Sequence, residues 1–535
     1  MFVVIKHYVK QCSIPCIKRG SMTDTLIAEK NGDKKIQKEV ASILRPVALA
    51  GLIGIMVTAG GCAPLSVDYD SRVYLPENYT FYTDGGTSEL QIAEWWRNFN
   101  DPVLDKLIAE ALVSNRDLIA ATERYNSAMH EAGLAEADKG PAAGVGAGGF
   151  VTGSKMYVSD PRIKPDSRSK RAAGLGLEAS WEPDFFGKKQ SDADAAKFRA
   201  LAVQDRINAV RTSITASLGR YYFEILSLKD KEKNLRKNIA NMQDTLRYVK
   251  GRYEAGQAQA FDVMDVENRI TSLKARLPEF EAQINARIRV IAVLCGRVPE
   301  DFVIAGIPDG LPENIPNPPQ GTHPGELLLM RPDILSKRNE INARAAAVAS
   351  AKADLYPRFS ISFLLSDGYI KLDSTVDHAS GWMSFLSGSV SVPVFTNGRI
   401  RENIAAKNAE LGVALAEYEK LIIEALKEVE DSYEMTAVLN RTQQELSKGR
   451  KEAEAMVGAS RKLFEHGQKN YDAVTLSVDR MISFDDSLTD VRLNRLLNLI
   501  SLYRALGGGW DYHKNTAVET GNAGKLQENG NHDNT

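Results

Sequence analysis

Cys62 is the residue whose surroundings most clearly predict chemistry. It follows three small residues, Ala59 to Gly61, at the end of an apolar segment that begins at residue 46 and is preceded by basic residues. A segment of 16 residues is short for a transmembrane helix, which needs roughly 20, and is typical of the apolar region of a signal peptide. We therefore expect a signal peptide over residues 1–61 and lipidation of the Cys62 thiol. An ordinary cleaved signal with an incidental cysteine is the alternative.

Two carboxylates, Asp262 and Asp265, form a second candidate site. They lie three residues apart at the start of a predicted helix, and this spacing places both on one helix face. In a symmetric oligomer each position becomes a ring of like charges that attracts cations. Asp472 occupies the start of a matching helix, where Leu476 corresponds to Asp265. The alternative is that these are solvated carboxylates at helix starts, with Asp262 and Asp472 as N-caps.

The rest of the sequence lacks the spacings of common catalytic and metal sites. No two of the seven histidines have ligand spacing, and no C-x-x-C pair, phosphate-binding glycine loop or G-x-S-x-G motif is present. We therefore expect no enzymatic activity, and no cofactor besides the lipid on Cys62. The net charge of −2 and the absence of a lysine- or arginine-rich block argue against a nucleic-acid partner.

Two long helical runs position the carboxylates. Residues 188–255 and 399–466 contain no proline, and a glycine flanks each run on both sides. Apolar residues recur at alternate steps of three and four, which is typical of a coiled coil. At 1.5 Å per residue each run predicts a helix of roughly 100 Å. Returning helices are predicted to about Leu294 and to about Leu506.

Matching residues recur at constant offsets, which indicates an internal duplication. The offset is 211 across the long runs (398 − 187) and 216 upstream of them (333 − 117). The matched residues are Gly187/Gly398, Tyr222/Tyr433, Gly256-Gln257/Gly467-Gln468, Asp117/Asp333 and Pro141/Pro357. Gly256 and Gly467 each fit the C′ position that ends a helix, so each half predicts a helical hairpin with its tip there.

Four segments of alternating apolar and polar residues lie between the helices. They are predicted over about 144–153, 174–181, 359–366 and 389–394, and the last includes Val392 and Val394. The alternation suits transmembrane strands with one wet face. Residues 154–170 and 369–381 are the predicted hairpin loops.

Aromatic residues at the segment ends support this interpretation, because aromatics are enriched at membrane interfaces. They are Trp181, Trp382, Tyr356 and Tyr369. A soluble antiparallel sheet with one buried face explains the strands equally well. Four strands cannot close a barrel without leaving backbone groups unpaired in lipid, so a barrel requires further copies of the chain.

Several motifs together resemble one family of outer-membrane proteins. The first begins at Trp95-Trp96 and continues through Asp101-Pro102, where Asp101 is the predicted N-cap of a helix that reaches about Asp138. The others are Trp181–Gly187, Arg252–Gly256, Arg331-Pro332-Asp333 and Tyr356-Pro357. From about residue 90 to 510 the chain resembles the TolC/OprM-type outer-membrane efflux channels, in their lipoprotein (NodT-like) branch.

The resemblance implies a fold that is mainly α-helical with a β-barrel portion. Each protomer would contribute four strands and two long coiled-coil hairpins, and three protomers would form a twelve-stranded barrel above an α-helical tunnel. The hairpin tips would form the periplasmic gate, which contacts an adaptor protein. The tip residues are Gly256, Gln257, Asp262, Asp265, Gly467, Gln468 and Asp472.

The segment before Cys62 resembles a bacterial lipobox, with Ala59 where Leu is usual. Diacylglycerol and palmitate would then be attached at Cys62, and Ala63 after it implies sorting to the outer membrane of a Gram-negative bacterium. Whether translation starts at Met1 or Met22 stays open.

Six segments follow from these observations. They are a signal peptide (1–61), a lipidated N-terminal segment (62–94), a first efflux repeat (95–300), a linker (301–330), a second repeat (331–510) and a disordered tail (511–535). The resemblance implies the outer-membrane channel of a tripartite efflux system, partnered by an adaptor and an inner-membrane RND pump, which exports small drugs, dyes, solvents or metal ions. The alternatives are a type I secretion outlet for proteins and a non-conducting periplasmic lipoprotein scaffold.

Overall fold

The computed structural model describes residues 73, 75–76, 79–80, 92–156, 166–319, 324–326, 330–372, 379–469 and 471–510. All of them belong to the second of two compact units, Cys62–Thr535. The predicted signal peptide, Cys62 and the predicted tail lie outside the described residues. The predicted segment boundaries stay predictions.

The first repeat begins with a short 3-10 helix, Trp95–Phe99, and alternates helices with one pair of strands. Its elements are α1 (Pro102–Ser114), α2 (Arg116–Ala137), β1 (Ala142–Met156), β2 (Asp166–Trp181), α3 (Lys188–Glu254), α4 (Ala260–Ala275) and α5 (Leu277–Leu294).

From α2 onward the second repeat follows the order of the first: a helix, two strands, a long helix and a returning helix. After a 3-10 turn at Pro324–Glu326 it contains α6 (Pro332–Ala353), β3 (Arg358–Leu372), β4 (Ala379–Ser391), α7 (Arg399–Glu465) and α8 (Tyr471–Ala505). Helices α2 and α6 both have 22 residues, and α3 and α7 both have 67. The internal duplication is therefore confirmed, and the long helices end within one residue of the predicted positions.

Glycine ends both long helices in the predicted way. Gly256 and Gly467 both have φ of 73°, a left-handed conformation that glycine adopts without the steric penalty of a Cβ. The next residue donates its backbone N–H five residues back in each hairpin, from Gln257 to the Arg252 carbonyl (2.8 Å) and from Gln468 to the Leu463 carbonyl (2.8 Å). This is a Schellman motif, and it confirms Gly256 and Gly467 at C′.

Two predicted helices are each interrupted. The helix from Pro102 breaks at Asn115, whose side chain accepts hydrogen bonds from the backbone of Asp117 (2.9 Å) and Leu118 (3.1 Å) and caps α2. The predicted continuous helix to Asp138 is therefore wrong, because an asparagine cap starts a new helix. The first returning helix also breaks, between α4 and α5, because Pro278 has no N–H and its ring clashes with the preceding turn.

The four strands form one antiparallel sheet in the order β1-β2-β3-β4. The strands are longer than predicted, since residues 154–156, 166–170, 369–372 and 379–381 belong to them rather than to loops. Val392 and Val394 lie beyond β4, which ends at Ser391, because Pro393 cannot donate a hydrogen bond to a neighbouring strand. Strands β1 and β4 are the edges of the sheet within the chain.

The helices pack around one large apolar core, and two smaller apolar clusters lie apart from it. Helix α3 packs against α2, α6 and α8, and α7 packs against α6 and α8. At the centre of the core, Trp95 stacks on Tyr503 with ring centroids 5.9 Å apart. Asp101, confirmed as the N-cap of α1, also accepts a hydrogen bond from the Tyr222 hydroxyl (2.5 Å). Among the described helices, none is both long enough and apolar enough to cross a membrane.

Candidate functional site

The hairpin tips are held together by a small apolar cluster of their own. It contains residues of α3, α4 and α8, so it joins the first hairpin (α3 and α4) to the second (α7 and α8). We call it the tip cluster: Met242, Val249, Val266, Ile270, Tyr471, Val474 and Val478. The cluster is separate from the main core. The tips can therefore be rearranged at the expense of few buried contacts.

Aromatic side chains extend the tip cluster towards the turns. The ring of Phe464 lies between Tyr248 (5.6 Å between centroids) and Tyr471 (5.5 Å), each in an edge-on arrangement. The Arg252 guanidinium lies 5.2 Å from the centre of the same ring, within range of a cation–π interaction. Phe464 thus links the last turns of both long helices.

The turn residues Gly256, Gln257, Gly467 and Gln468 are all exposed. Asp262 is half-buried and lies in the third position of α4, where its carboxylate accepts a hydrogen bond from the backbone N–H of Gln259 (2.9 Å). The N-cap is therefore Gln259, and the prediction of Asp262 as N-cap is wrong. Asp472 lies in the first turn of α8, which begins one residue earlier, so its N-cap prediction is also wrong.

Asp265 takes part in an ion-pair bridge between the two hairpins. Arg269, one turn later on α4, lies 3.3 Å from the Asp265 carboxylate and 3.1 Å from Asp479 on α8. Burial lowers the pKa of the Arg269 guanidinium, but the ion pairs with Asp479 and Asp265 outweigh it and raise that pKa. One arginine therefore pairs with a carboxylate from each hairpin.

The sequence analysis missed both Arg269 and Asp479. Arg269 is four residues from Asp265, a spacing that predicts a contact on a helix. Asp479 carries no such local signal, because it is 210 residues away along the chain. Leu476 corresponds to Asp265, and its side chain is apolar and exposed. The second hairpin therefore has no carboxylate at the position that matches Asp265.

The described ranges contain no group of three or more His, Cys, Asp or Glu side chains that is arranged to hold a metal ion. What the tips provide is a contact between two helical hairpins that contains an apolar cluster and a three-residue ion-pair bridge.

Comparison with known proteins identifies the family. A model of the family described as outer membrane efflux protein matches residues 107–297 and 323–508, which together exceed half of the chain. The chain belongs to the outer membrane efflux protein family. The two matched ranges correspond to the two repeats.

Among curated relatives of this outer membrane efflux protein, the pyoverdine export outer membrane protein OpmQ of Pseudomonas aeruginosa is 28% identical over 466 residues, with 86% of this chain and 96% of OpmQ covered. The cation efflux system protein CusC of Escherichia coli is 26% identical over 464 residues, with 84% and 96% covered. Among solved structures, the outer-membrane channel OprN has the same fold, with a TM-score of 0.73, 24% identity and coverage of 84% of this chain and 100% of OprN.

Membership confirms the predicted class of function. The protein is the outer-membrane channel component of a tripartite efflux system, and its relatives are transport proteins rather than enzymes. Channels of this family form trimers, so three four-stranded sheets supply the twelve strands of the predicted barrel. Closure of such a barrel requires the edge strands β1 and β4 to pair with other copies of the chain, because their backbone groups would otherwise be unpaired in lipid.

Proposed function

We propose that this channel is a passive conduit for small toxic compounds, driven by an inner-membrane RND pump and opened by a periplasmic adaptor. The ion-pair bridge at Arg269 carries the proposal, because it ties the first hairpin to the second at the end of the helical tunnel. The name of OpmQ refers to pyoverdine export, and the name of CusC refers to cation efflux. These descriptions favour small solutes over proteins as the substrate class.

The bridge is suited to a gate because its free energy is small. The side chains of Arg269, Asp265 and Asp479 are 40%, 39% and 56% exposed, and exposed ion pairs contribute roughly 0–1 kcal/mol. An adaptor that competes for these charges, or packs against the exposed turns at Gly256 and Gly467, can therefore open the tips at low cost. In this proposal Asp262 stabilises α4 and Asp265 belongs to the gate, with the exposed Asp472 facing the mouth.

The lipid anchor at Cys62 is part of the same proposal. Diacylglycerol and palmitate on this cysteine would hold the chain at the inner leaflet of the outer membrane and limit the orientations available to the trimer. A Cys62→Ser variant expressed in cells fed labelled palmitate is expected to lose the label. A variant that keeps the label would show that Cys62 is not the lipidated residue.

Conductance in a planar bilayer tests the conduit and its gate together. We expect the purified wild-type trimer to conduct weakly and the Arg269→Glu variant to conduct at least tenfold more, because like charges at Asp265 and Asp479 then repel the hairpins. Arg247→Glu is the matched control, since Arg247 is an exposed arginine near the same tip and, among the described residues, its one ion-pair partner is Asp244. Absence of conductance in the Arg269→Glu trimer would favour the non-conducting scaffold.

The substrate class is tested by solute accumulation in a strain that lacks the gene. We expect dyes, antibiotics or metal ions to accumulate in these cells, and the wild-type gene to restore export. Secreted proteins are measured in parallel. Loss of a secreted protein with normal accumulation of small molecules would show that the channel is a secretion outlet instead.

A further inference from the structure

A cavity of about 440 Å³ lies where the sheet meets the helices of the second repeat. It is lined by Arg358 at the start of β3, Ser391 at the end of β4, and Arg399 and Asn403 in the first turns of α7. Small-molecule sites occupy roughly 300–1,000 Å³, so the volume suits a small organic solute. We call this space the junction cavity.

Positive charge exceeds negative charge at the junction cavity. Asp354 is the carboxylate that lines it, and this group already pairs with Lys188 (3.0 Å) and Arg358. Burial alone would raise the pKa of Asp354, but hydrogen bonds from Lys188 and Arg358 lower it, so the group is ionised and shared between two cations. Within the described part of the chain, no carboxylate pairs with Arg399. The junction cavity is therefore lined by more cationic than anionic side chains.

The strand register places this charge on the polar face of the sheet. Arg358 lies opposite Ser391, and two residues along, Ser360 lies opposite Ser389 with their hydroxyl oxygens 2.6 Å apart. Because residues two apart on a strand share a face, all four belong to one face. Phe359 belongs to the other face. In outer-membrane barrels the polar face lines the water-filled pore.

The first repeat has no arginine at either of the two described positions that match Arg358 and Arg399. The residues that correspond to Arg358 and Arg399 are Ala142 and Lys188. Ala142 carries no charge, and Lys188 is engaged by Asp354 of the second repeat. Within the described residues the two arginines meet only in the second repeat, so a trimer would carry three junction cavities at the same depth of the pore.

We propose that the junction cavity is a transit subsite for anions, so that three such sites form a cationic ring on the pore wall and favour solutes with carboxylate or phosphate groups. This inference rests on the proposed function as a conduit. A guanidinium presents a planar fork of donors that matches carboxylate and phosphate oxygens. Tyr356 and Asn403 supply neutral donors beside the two arginines. Rings of arginine or lysine are a known physical basis for anion preference in pores.

Reversal potentials in a gradient of potassium chloride measure this preference. All channels carry the tip-opening substitution Arg269→Glu, so that the gate does not limit the current. Replacing both arginines (Arg358→Gln with Arg399→Gln) is expected to lower the chloride-to-potassium permeability ratio by roughly threefold or more, because six positive charges are removed from one ring. Millimolar inorganic phosphate is expected to reduce the current of the parent and to leave that of the double variant unchanged.

The charge-preserving double variant (Arg358→Lys with Arg399→Lys) is the matched control. It is expected to keep the chloride preference and to lose most of the phosphate effect, because lysine lacks the planar fork. A glutamine variant that conducts with an unchanged permeability ratio would overturn the subsite and leave the conduit standing. A parent channel that does not conduct at all would instead refute the conduit.

Discussion

In the first repeat, the Asn115 side chain donates a hydrogen bond to the carbonyl oxygen of Leu294, the last residue of α5 (2.8 Å). In the second repeat, Arg331 donates to the carbonyl oxygen of Ala505, the last residue of α8 (3.2 Å). The two donors are 216 residues apart (331 − 115) and the two acceptors 211 (505 − 294), the offsets that relate the repeats. Both repeats thus keep a hydrogen bond to the end of the returning helix, but the donor is an amide in the first repeat and a guanidinium in the second.

The glycines that follow the returning helices are also equivalent. Gly296 and Gly507 have φ of 68° and 84°. A Cβ on Gly296 would overlap the carbonyl oxygen of Ser114, and one on Gly507 would overlap that of Met330. Both repeats therefore bring the end of the returning helix against the start of α2 or α6 at a distance that only glycine permits.

The repeats differ in charge and in continuity. Arg331 is buried and pairs with Asp333 (2.7 Å) and Glu428 (2.8 Å), whereas the neutral Asn115 needs no counter-ion. The returning helix is continuous in the second repeat and broken at Pro278 in the first. The first repeat also has a side-chain contact at the start of α3, where Asp184 accepts a hydrogen bond from the backbone N–H of Gln190 (2.7 Å). Duplication has therefore preserved the backbone geometry, while the side chains have acquired separate roles.

The largest difference between the repeats is expected at Arg331. Arg331→Ala removes a buried guanidinium with its hydrogen bonds to Asp333, Glu428 and the Ala505 carbonyl, and is expected to lower the free energy of unfolding by about 3 kcal/mol, since hydrogen bonds to charged groups contribute roughly 1.5–3 kcal/mol each. Asn115→Ala loses a helix cap, which costs about 1 kcal/mol. Thermal unfolding of the detergent-solubilised protein measures both. Equal losses would show that the ion pairs of Arg331 add nothing to the closure of the second repeat.

The continuity of α8 is tested at Thr489, which corresponds to Pro278 (489 − 278 = 211). Thr489→Pro is expected to cost about 3 kcal/mol, because proline removes a helical hydrogen bond and clashes with the preceding turn. Pro278→Ala is expected to change stability by less than about 1 kcal/mol, since that helix is already broken. A Thr489→Pro variant with wild-type stability would mean that the second hairpin tolerates the helix break that Pro278 causes in the first.

The equivalence of the closing glycines predicts equal losses in the two repeats. Gly296→Ala and Gly507→Ala are each expected to cost about 2 kcal/mol or more, because a left-handed residue with a Cβ is strained by roughly 1–2 kcal/mol before any overlap. Gly187→Ala is the control, since Gly187 has φ of 74° but open space around its Cβ position. Gly187→Ala should lose only the stability that corresponds to the strained backbone conformation. A loss equal to that of Gly296→Ala and Gly507→Ala would show that close packing contributes nothing to the cost.

The smallest effect concerns the junction between sheet and helices. Hydrogen bonds from Lys188 and Arg358 hold the pKa of Asp354 below its ordinary value of 3.8, so its carboxylate stabilises the fold above that pH, and this contribution is lost as the pH falls below it. Wild type is therefore expected to lose slightly more stability than Asp354→Asn between pH 5 and pH 3. Asp138→Asn in the first repeat is the control and should behave like wild type.

Local signals were sufficient for the long helices. Their heptad spacing and the glycines at 187, 256, 398 and 467 fix where each begins and ends, because helix periodicity, N-cap glycines and C′ glycines act within one or two turns. Pro278 and Asn115 also carry local signals, a proline inside a helix and a cap residue before an aspartate. The breaks they cause are explained by those residues.

The lengths of the strands depend on the neighbouring strands in the sheet. Alternation predicted the sheet, but strands β1 to β4 extend beyond the alternating cores because the backbone of each is paired by its neighbour. The glycine-rich β1 has little side-chain pattern of its own, and its 15 residues are held in the sheet by β2.

By itself the sequence determined the duplicated architecture: two long hairpins, their glycine tips and four strands of alternating polarity. Only the tertiary structure decided which residues close the repeats, which arginine bridges the tips and which charges meet at the junction cavity. The partners Arg269 and Asp479, or Arg331 and Ala505, are far apart in the chain. Their contacts depend on how helices pack against each other in register, and the periodicity of a single helix contains no information about its neighbour.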